Sequence, residues 1–556
     1  MKQTNWYKDA IIYQIYPRSF CDSNNDGLGD IPGIISKLDY LKDLGVNCLW
    51  LSPVYDSPQE DNGYDISNYL DIYPPFGTLD DMKTLIKEAH DRGIRILMDL
   101  VVNHTSSEHM WFKEAIKDKN SKYHDYYIIR KGRKNGKKPP NNWTGFFGEK
   151  AWEKVPGSED EYYLRLFAKG QPDLNWENEE VREEVKKILR FWLDLGVDGF
   201  RCDVINLISK KQDFKNRFYT GVLVGKDAYI NGPRLHEYLQ ELNRDVLSHY
   251  DCMTVGETVM TNLDDVKRLT APDRHELTMV FNFDVTNTDG HFGVKYFAKK
   301  FSLRFLKKTF AKWQNGLNDI SWNTLFLENH DQRRIPGRFG SKEDKYYLES
   351  VKMIAAMYFL MKGTPFIYEG QEIGMKNAPF KSIDEFKDVE IHNIHRMWEK
   401  SALLRMFVKE KTLFDVSRDN ARTPMQWDDS EYAGFSKVEP WIKINPNKDE
   451  INVKKELDDP NSILSFYKKL IELRKNEPIL RDGSYVEMFK RRKDLFVYKR
   501  VLNNSEIVVI LSFKDKDLTF KDLSMFKEHK LMLSNYEDND LLTLKPFECR
   551  VLKLEK

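Results

Sequence analysis

The stretch Gly196–Lys210, GVDGFRCDVINLISK, places an arginine and an aspartate inside a short apolar run. An unpaired charge is costly to bury, so Arg201 and Asp203 on a buried strand imply a site that needs them. Other apolar runs also end in polar groups. DLVVNH holds Asp99, Asn103 and His104, VGET holds Glu257, and ENHD holds His330 and Asp331. If these ends meet, Asp203, Glu257 and Asp331 share one mouth with an arginine and two histidines. That set suits glycoside hydrolysis. One carboxylate attacks the anomeric carbon, a second kept protonated donates to the leaving oxygen, and a third stabilises the oxocarbenium-like transition state. Arg201 lies two residues before Asp203, hence on the same face of a strand, and would keep that carboxylate ionised. Structural ion pairs would explain any one of these residues but explain the whole set poorly.

The elements that must position them follow a simple rhythm. Eight β-branched or apolar runs read as strands: 10–16, 48–54, 94–102, 198–205, 252–258, 277–283, 323–329 and 364–370. Amphipathic segments lie between them. In EEVREEVKKILRFWLDLG the residues Val181, Val185, Ile188, Leu189, Trp192 and Leu195 recur at helical spacing before Gly196 stops the helix. Eight strands alternating with helices predict an α/β fold of the (β/α)8 TIM barrel type, whose working residues sit at the C-terminal strand ends. No GxGxxG follows a strand, so dinucleotide binding has no support. Residues 105–174 break the rhythm with Tyr/Trp-rich loops and read as a domain inserted after strand three. Residues 479–556 turn to short alternating runs, a C-terminal antiparallel β-sandwich domain. The barrel then takes 1–104 and 175–478.

The totals exclude several other classes. Over 556 residues, 87 Lys+Arg balance 87 Asp+Glu, which argues against a nucleic-acid or anionic-membrane partner. The odd, scattered Cys21, Cys48, Cys202, Cys252 and Cys549 read as reduced thiols, and the polar MKQTNWYKDA lacks a signal-peptide core, so a cytoplasmic location is expected. No apolar run approaches the length of a membrane span. Neither a Ser–His–Asp nor a Cys–His arrangement competes, and His236, His249 and His275 lack ligand spacing.

GFRCDVI, VGET, ENHD and DLVVNH together resemble the four conserved regions of the α-amylase family of retaining glycoside hydrolases. QPDLNWEN, DNGYDI and RDNARTPMQW look like its oligo-1,6-glucosidase and α-glucosidase branch, over essentially the whole chain. The resemblance implies Asp203 as nucleophile, Glu257 as acid/base and Asp331 as transition-state stabiliser. It further implies a pocket for a terminal glucose, its end closed by Asp61 and Arg422, with Tyr64 stacking on the sugar and His104 and His330 bonding its hydroxyls. Tyr64 as a core aromatic and Asp61 as a turn former are the plain alternatives. Val204, directly after the nucleophile, and Gln171 resemble members preferring α-1,6 bonds; one such side chain shifts preference by about 1–3 kcal/mol. The expected substrate is a short oligosaccharide or disaccharide, the expected protein a monomer or weak homo-oligomer, and no organic cofactor is implied.

The loop DSNNDGLGD sets Asp22, Asn24, Asp26 and Asp30 at alternating positions, with the Leu28 carbonyl as a further oxygen. It is spaced like the start of an EF-hand loop without the later glutamate. A solvated acidic turn is the usual fate of such a string, but similar loops in this branch bind calcium, so a structural Ca2+ is expected. The tract RKGRKNGKKPP (130–140) reads as an exposed loop, or as a phosphate-recognising one, since NGPRLHEYLQELNRDVLSHYD and DVINLISK also look similar to trehalose-6-phosphate hydrolases. Arg333 stands where proline is common, and VGETVMTNL departs from the usual string after the acid; both bear on the leaving group, not the reaction. The rival readings are trehalose 6-phosphate hydrolysis, sucrose isomerisation or transglucosylation, α-1,4-glucosidase action, and a silent binding relative, which would have lost the acids and gained a membrane anchor.

Overall fold

Eight strands occupy the predicted runs: β1 (Ile12–Ile15), β2 (Cys48–Leu51), β3 (Arg95–Leu100), β4 (Gly199–Cys202), β5 (Met253–Glu257), β6 (Met279–Phe281), β7 (Thr324–Leu325) and β8 (Thr364–Tyr368). The computed structural model describes residues 4–218, 223–291, 294–537, 540 and 542–555, so the first three residues of the polar N-terminal stretch lie outside it. The strands form one parallel sheet in the order β6-β5-β4-β3-β2-β1-β8-β7, a barrel whose ladder is open only between β6 and β7. At that seam the Thr324 hydroxyl donates to the Val280 carbonyl at 2.9 Å.

The two-residue period of a strand sorts the side chains. Ile12, Trp50, Leu97, Val255, Phe281 and Phe366 fill the barrel interior as one cluster, while Tyr13, Leu49, Ile96 and Phe200 belong to the larger core outside it. The helix Glu179–Asp194 lays Val181, Val185, Ile188, Leu189 and Trp192 on that outer core and is capped by Asn178. It delivers the chain to β4 through Gly196, whose φ of 104° is the left-handed stop that glycine tolerates. Gly199 opens β4 because a Cβ there would lie 2.0 Å from the Met253 carbonyl of β5.

Between β3 and β4 an antiparallel sheet of Ile129–Lys131, Glu161–Leu164 and Trp152–Lys154 sits beside the barrel mouth, with Glu161–Leu164 in the middle. The bridge between His104 and Asp173 joins the two ends of this insertion. After β8 come the helices Val389–Lys400, Ala402–Phe407 and Glu410–Val416, which the sequence pattern did not separate from the barrel. The C-terminal part is a five-stranded antiparallel sheet of β9 (Ser484–Met488), β10 (Leu495–Leu502), β11 (Ser505–Ser512), β12 (Lys530–Ser534) and β13 (Cys549–Glu555), in the order β9-β10-β11-β13-β12. A smaller pair, Leu518–Thr519 with Thr543–Leu544, helps to cover its second apolar core. All five cysteines are buried free thiols. Among the described residues no helix is long and apolar enough to cross a membrane.

Candidate active site

At the C-terminal mouth of the barrel one guanidinium gathers three carboxyl groups. Arg201, at the end of β4, is 1 % exposed. Its Nη1 donates to Asp99 Oδ1 and to Asp203 Oδ1, each at 2.7 Å, and its Nη2 donates to Glu257. Trp50 Nε1 and the Tyr64 hydroxyl donate to the other oxygen of Asp99, at 3.2 and 3.1 Å. One cation thus faces three acids in a space with little water. Burial pushes all three carboxyls up, Asp99 to about 6, Asp203 to about 7 and Glu257 to about 8, against the pull of Arg201. Arg201 thus bridges Asp203 and Glu257, and of the two carboxyls Glu257 is raised the more.

Asp203 leaves the strand at a strained corner. Val204 sits at φ 34° and ψ 39°, a left-handed conformation unfavourable for a β-branched residue and worth about 1–3 kcal/mol of strain. The Asp203 N–H to Leu100 carbonyl bond at 2.9 Å and the Leu207 N–H to Val204 carbonyl bond at 2.9 Å hold this turn. The Val204 side chain packs with Phe146, Phe167 and Val259, and together they line a cavity of about 580 Å³ that also touches Glu257, Asp331 and Arg418.

Opposite this corner the balance of charge reverses. Asp331 receives Arg422 Nη2 at 2.9 Å and Arg418 Nη1 at 3.3 Å, with His330 Nε2 at 3.5 Å. Burial works against ionisation here, yet His330, Arg418 and Arg422 hold Asp331 well below the usual carboxylate range. Asp388, likewise buried, is held down to about 2 by Arg418 and Arg422. Tyr64 stacks on His330, ring centroids 5.2 Å apart and 8° from parallel, and Tyr16 lies 13° from parallel to the same ring at 6.2 Å. Gln14 Nε2 lies 2.8 Å from His330 Nδ1, and burial depresses His330 to about 3, leaving a neutral imidazole. His104 is also kept neutral, at about 4, chiefly by burial.

The guanidinium that meets Asp61 is Arg418, not Arg422. Arg418 Nη2 lies 3.2 Å from Asp61 Oδ1 and also grips Asp388, while Arg422 is fully buried behind Asp331 with its Nε on the His330 carbonyl at 3.1 Å. Both arginines stand in SRDNAR four residues apart, and that pairing in a charged loop is the one sequence signal that could have singled out Arg418. Gln171 lies under the pocket end, its Nε2 3.2 Å from Asp61 Oδ2, from the Tyr64 carbonyl and from His104 Nε2. Behind His104, the buried Lys210 ammonium donates to Asp173 at 2.8 Å and to Asn103 at 2.7 Å, tying the end of β3, the base of the insertion and the loop after β4. Asp173 and Lys210 lie within QPDLNWEN and DVINLISK, strings that do not by themselves single them out, and Asp388 carries no signal in the sequence that marks it for this site.

The loop 22–30 is folded onto itself. Asp22 Oδ1 accepts the Asn24 and Asn25 N–H groups, and its Oδ2 accepts Gly27 N–H and the Ser436 hydroxyl, the last at 2.6 Å. Asp26 accepts Leu28 N–H at 2.8 Å and sits 3.1 Å from the Asn24 amide. Asp30 caps the helix Ile31–Ser36 through Gly33 N–H. Among the described residues no group of three or more His, Cys, Asp or Glu is placed to hold a metal. The tract 130–140 forms a largely exposed turn of the insertion, and none of its residues lines the cavity beside the acids.

Comparison with known proteins agrees with this geometry. Residues 14–483 match the family described as Alpha amylase, catalytic domain. An oligo-1,6-glucosidase of Parageobacillus thermoglucosidasius is 50 % identical over 99 % of both chains, and a trehalose-6-phosphate hydrolase of Bacillus subtilis is 45 % identical over 100 % of this chain and 99 % of its own. The crystal structure of a Klebsiella isomaltulose synthase superposes with a TM-score of 0.93 at 40 % identity, over 99 % of each chain. The chain belongs to the α-amylase family.

Proposed function

We propose that this α-amylase-family chain is a retaining, exo-acting α-glucosidase that releases glucose from the non-reducing end of short α-1,6-linked oligosaccharides. The observation that carries it is the guanidinium of Arg201, which holds Asp203 and Glu257 side by side, with burial favouring the protonated form of Glu257. An Asp203 oxygen attacks C1 as the C1–O bond breaks, and the departing oxygen takes the Glu257 proton. Glu257, now a carboxylate, takes a proton from water as that water attacks C1 and the Asp203–C1 bond breaks. Two inversions at C1 retain the α configuration. Asp331, ionised by its two arginines, stabilises the positive charge that develops on the sugar ring. Asp61 and Arg418, paired at the cavity end, hold the far hydroxyls and stop a longer chain from passing, which enforces exo-action. Tyr64 stacks on that glucose, and His104 and His330 bond its hydroxyls.

The relatives named oligo-1,6-glucosidase support the α-1,6 preference, as does Val204 on the cavity wall. The test is parallel hydrolysis of isomaltose, maltose, sucrose and trehalose 6-phosphate. Glucose released fastest from isomaltose supports the reading; cleavage of trehalose 6-phosphate alone overturns the substrate. That second reading has one feature in its favour. A groove of about 660 Å³ lined by Lys226, Lys299, Lys308 and Lys312 meets the catalytic cavity at Met260, Phe283 and Asn287.

A calcium ion belongs to the same proposal. The oxygens of Asp22, Asn24, Asp26, Leu28 and Asp30 are of the hard type that calcium takes, although Asp22 and Asp30 are engaged with their own backbone. Its role would be to stiffen the loop. Removal by a chelator should lower the melting temperature and added Ca2+ restore it; no shift leaves a self-capped turn.

A further inference from the structure

We propose that Asp289 is a positioning residue, the anchor of a two-arginine clamp that fixes the loop after β7 and, through it, the acceptor-side wall of the catalytic cavity. The barrel ladder is open between β6 and β7, and β7 is only two residues long, so little backbone hydrogen bonding holds the strand that leads to Asp331. Higher in the same seam, Asp289 from the loop after β6 receives Arg333 Nη2 at 2.5 Å, Arg338 Nη2 at 2.7 Å and Arg338 Nε at 3.1 Å. Arg338 also donates to the Thr286 carbonyl. The Arg338 side chain is 3 % exposed and that of Asp289 11 %, so these bonds are shielded from competing water. Burial opposes the charge on Asp289, but the two arginines hold it below the usual carboxylate range.

The clamp joins two loops that each send a side chain into the catalytic cavity: Asn287, two residues before Asp289, and Gln332, directly before Arg333. Both line the same cavity as Glu257, Asp331 and Val204, and this wall is the one proposed to meet the leaving sugar or an incoming acceptor. Through Arg333 and Arg338 the loop is held by charge at two points on one carboxylate. A bidentate guanidinium pair fixes orientation as well as distance.

The substrate arm of the test rests on the proposed α-glucosidase reading; a second arm does not. Asp289→Asn keeps shape and loses charge, and Arg333→Ala removes the more exposed arm if the first variant folds poorly. Both should speed amide hydrogen exchange across residues 329–340 relative to β1–β5. Both should lower kcat/KM for isomaltose between about 10- and 100-fold while leaving that for an aryl α-glucoside little changed, and raise transfer to added sugar relative to water. Unchanged exchange in that segment, or an equal fall on both substrates, overturns the clamp. A wild-type protein inactive on isomaltose overturns the function reading instead, and the exchange arm then judges the clamp alone.

Discussion

The corner at Asp203 and the pocket end at Asp331 are built from the same parts in different proportion. At the first, one guanidinium serves Asp99, Asp203 and Glu257; at the second, two guanidiniums serve Asp61, Asp331 and Asp388. Most of these carboxyls are buried, but the Asp331 side chain is 28 % exposed against 8 % for Asp203, so access to water is one part of the difference. The number of guanidiniums on each acid matters as well: Asp331 and Asp388, each reached by both arginines, are pulled down, while Asp61, reached by Arg418 alone, is pushed up to about 7 like the carboxyls around Arg201. A fold can thus place an acid and a permanent anion in one cavity by allotting arginines.

Removing Asp203, the proposed nucleophile, breaks the comparison outright. Asp203→Ala should lower kcat by about 10⁴-fold or more without unfolding the protein, measured as glucose release together with a melting curve. Arg201→Met should be nearly as severe and, unlike Asp203→Ala, should also destabilise by about 3–5 kcal/mol, because it strands three buried acids. A normal denaturation midpoint for that variant would mean that the carboxyls find their own compensation.

At the pocket end, Arg418→Ala should raise KM and lower kcat/KM about 10- to 100-fold through lost charged hydrogen bonds to the terminal glucose. Arg422→Ala should act more on stability, since its guanidinium is sealed behind Asp331. If Arg422→Ala alone weakens glucose binding, the two arginines have exchanged roles.

The two regions should also respond to pH in opposite senses. With Glu257 as the proposed acid and Asp203 as the proposed nucleophile, kcat/KM should fall as pH rises through about 8 and fall again below about 7. In stability, the raised group Glu257 contributes most below the ordinary carboxyl range and loses that contribution as pH climbs to about 8. The lowered groups Asp331 and Asp388 contribute above that range and lose it as pH falls toward about 2. Melting temperature against pH in wild type and Glu257→Gln separates the two; identical curves would count against the raised Glu257. The smallest effect belongs to Val204→Ala, which should shift the isomaltose-to-maltose ratio by less than about tenfold.

Much of this molecule is legible in the order of its amino acids. Alternation along strands and the 3.6-residue period of helices depend on local chain geometry, so eight strands, the helix Glu179–Asp194 and the polar strand ends at Asp99, Asp203, Glu257 and Asp331 can be read directly. The sequence also marks 22–30 as an oxygen-rich loop and puts Arg201 on the face of Asp203. Only the tertiary structure decides which partner each charge takes. Asp61 and Arg418 are 357 residues apart, and a four-residue offset between Arg418 and Arg422 sends one guanidinium to the cavity and buries the other. Protonation follows the same rule, because a carboxyl's affinity for its proton is set by how much water and how many guanidiniums packing leaves around it. Local periodicity places a side chain on a face, but only the closed barrel fixes what stands across from it.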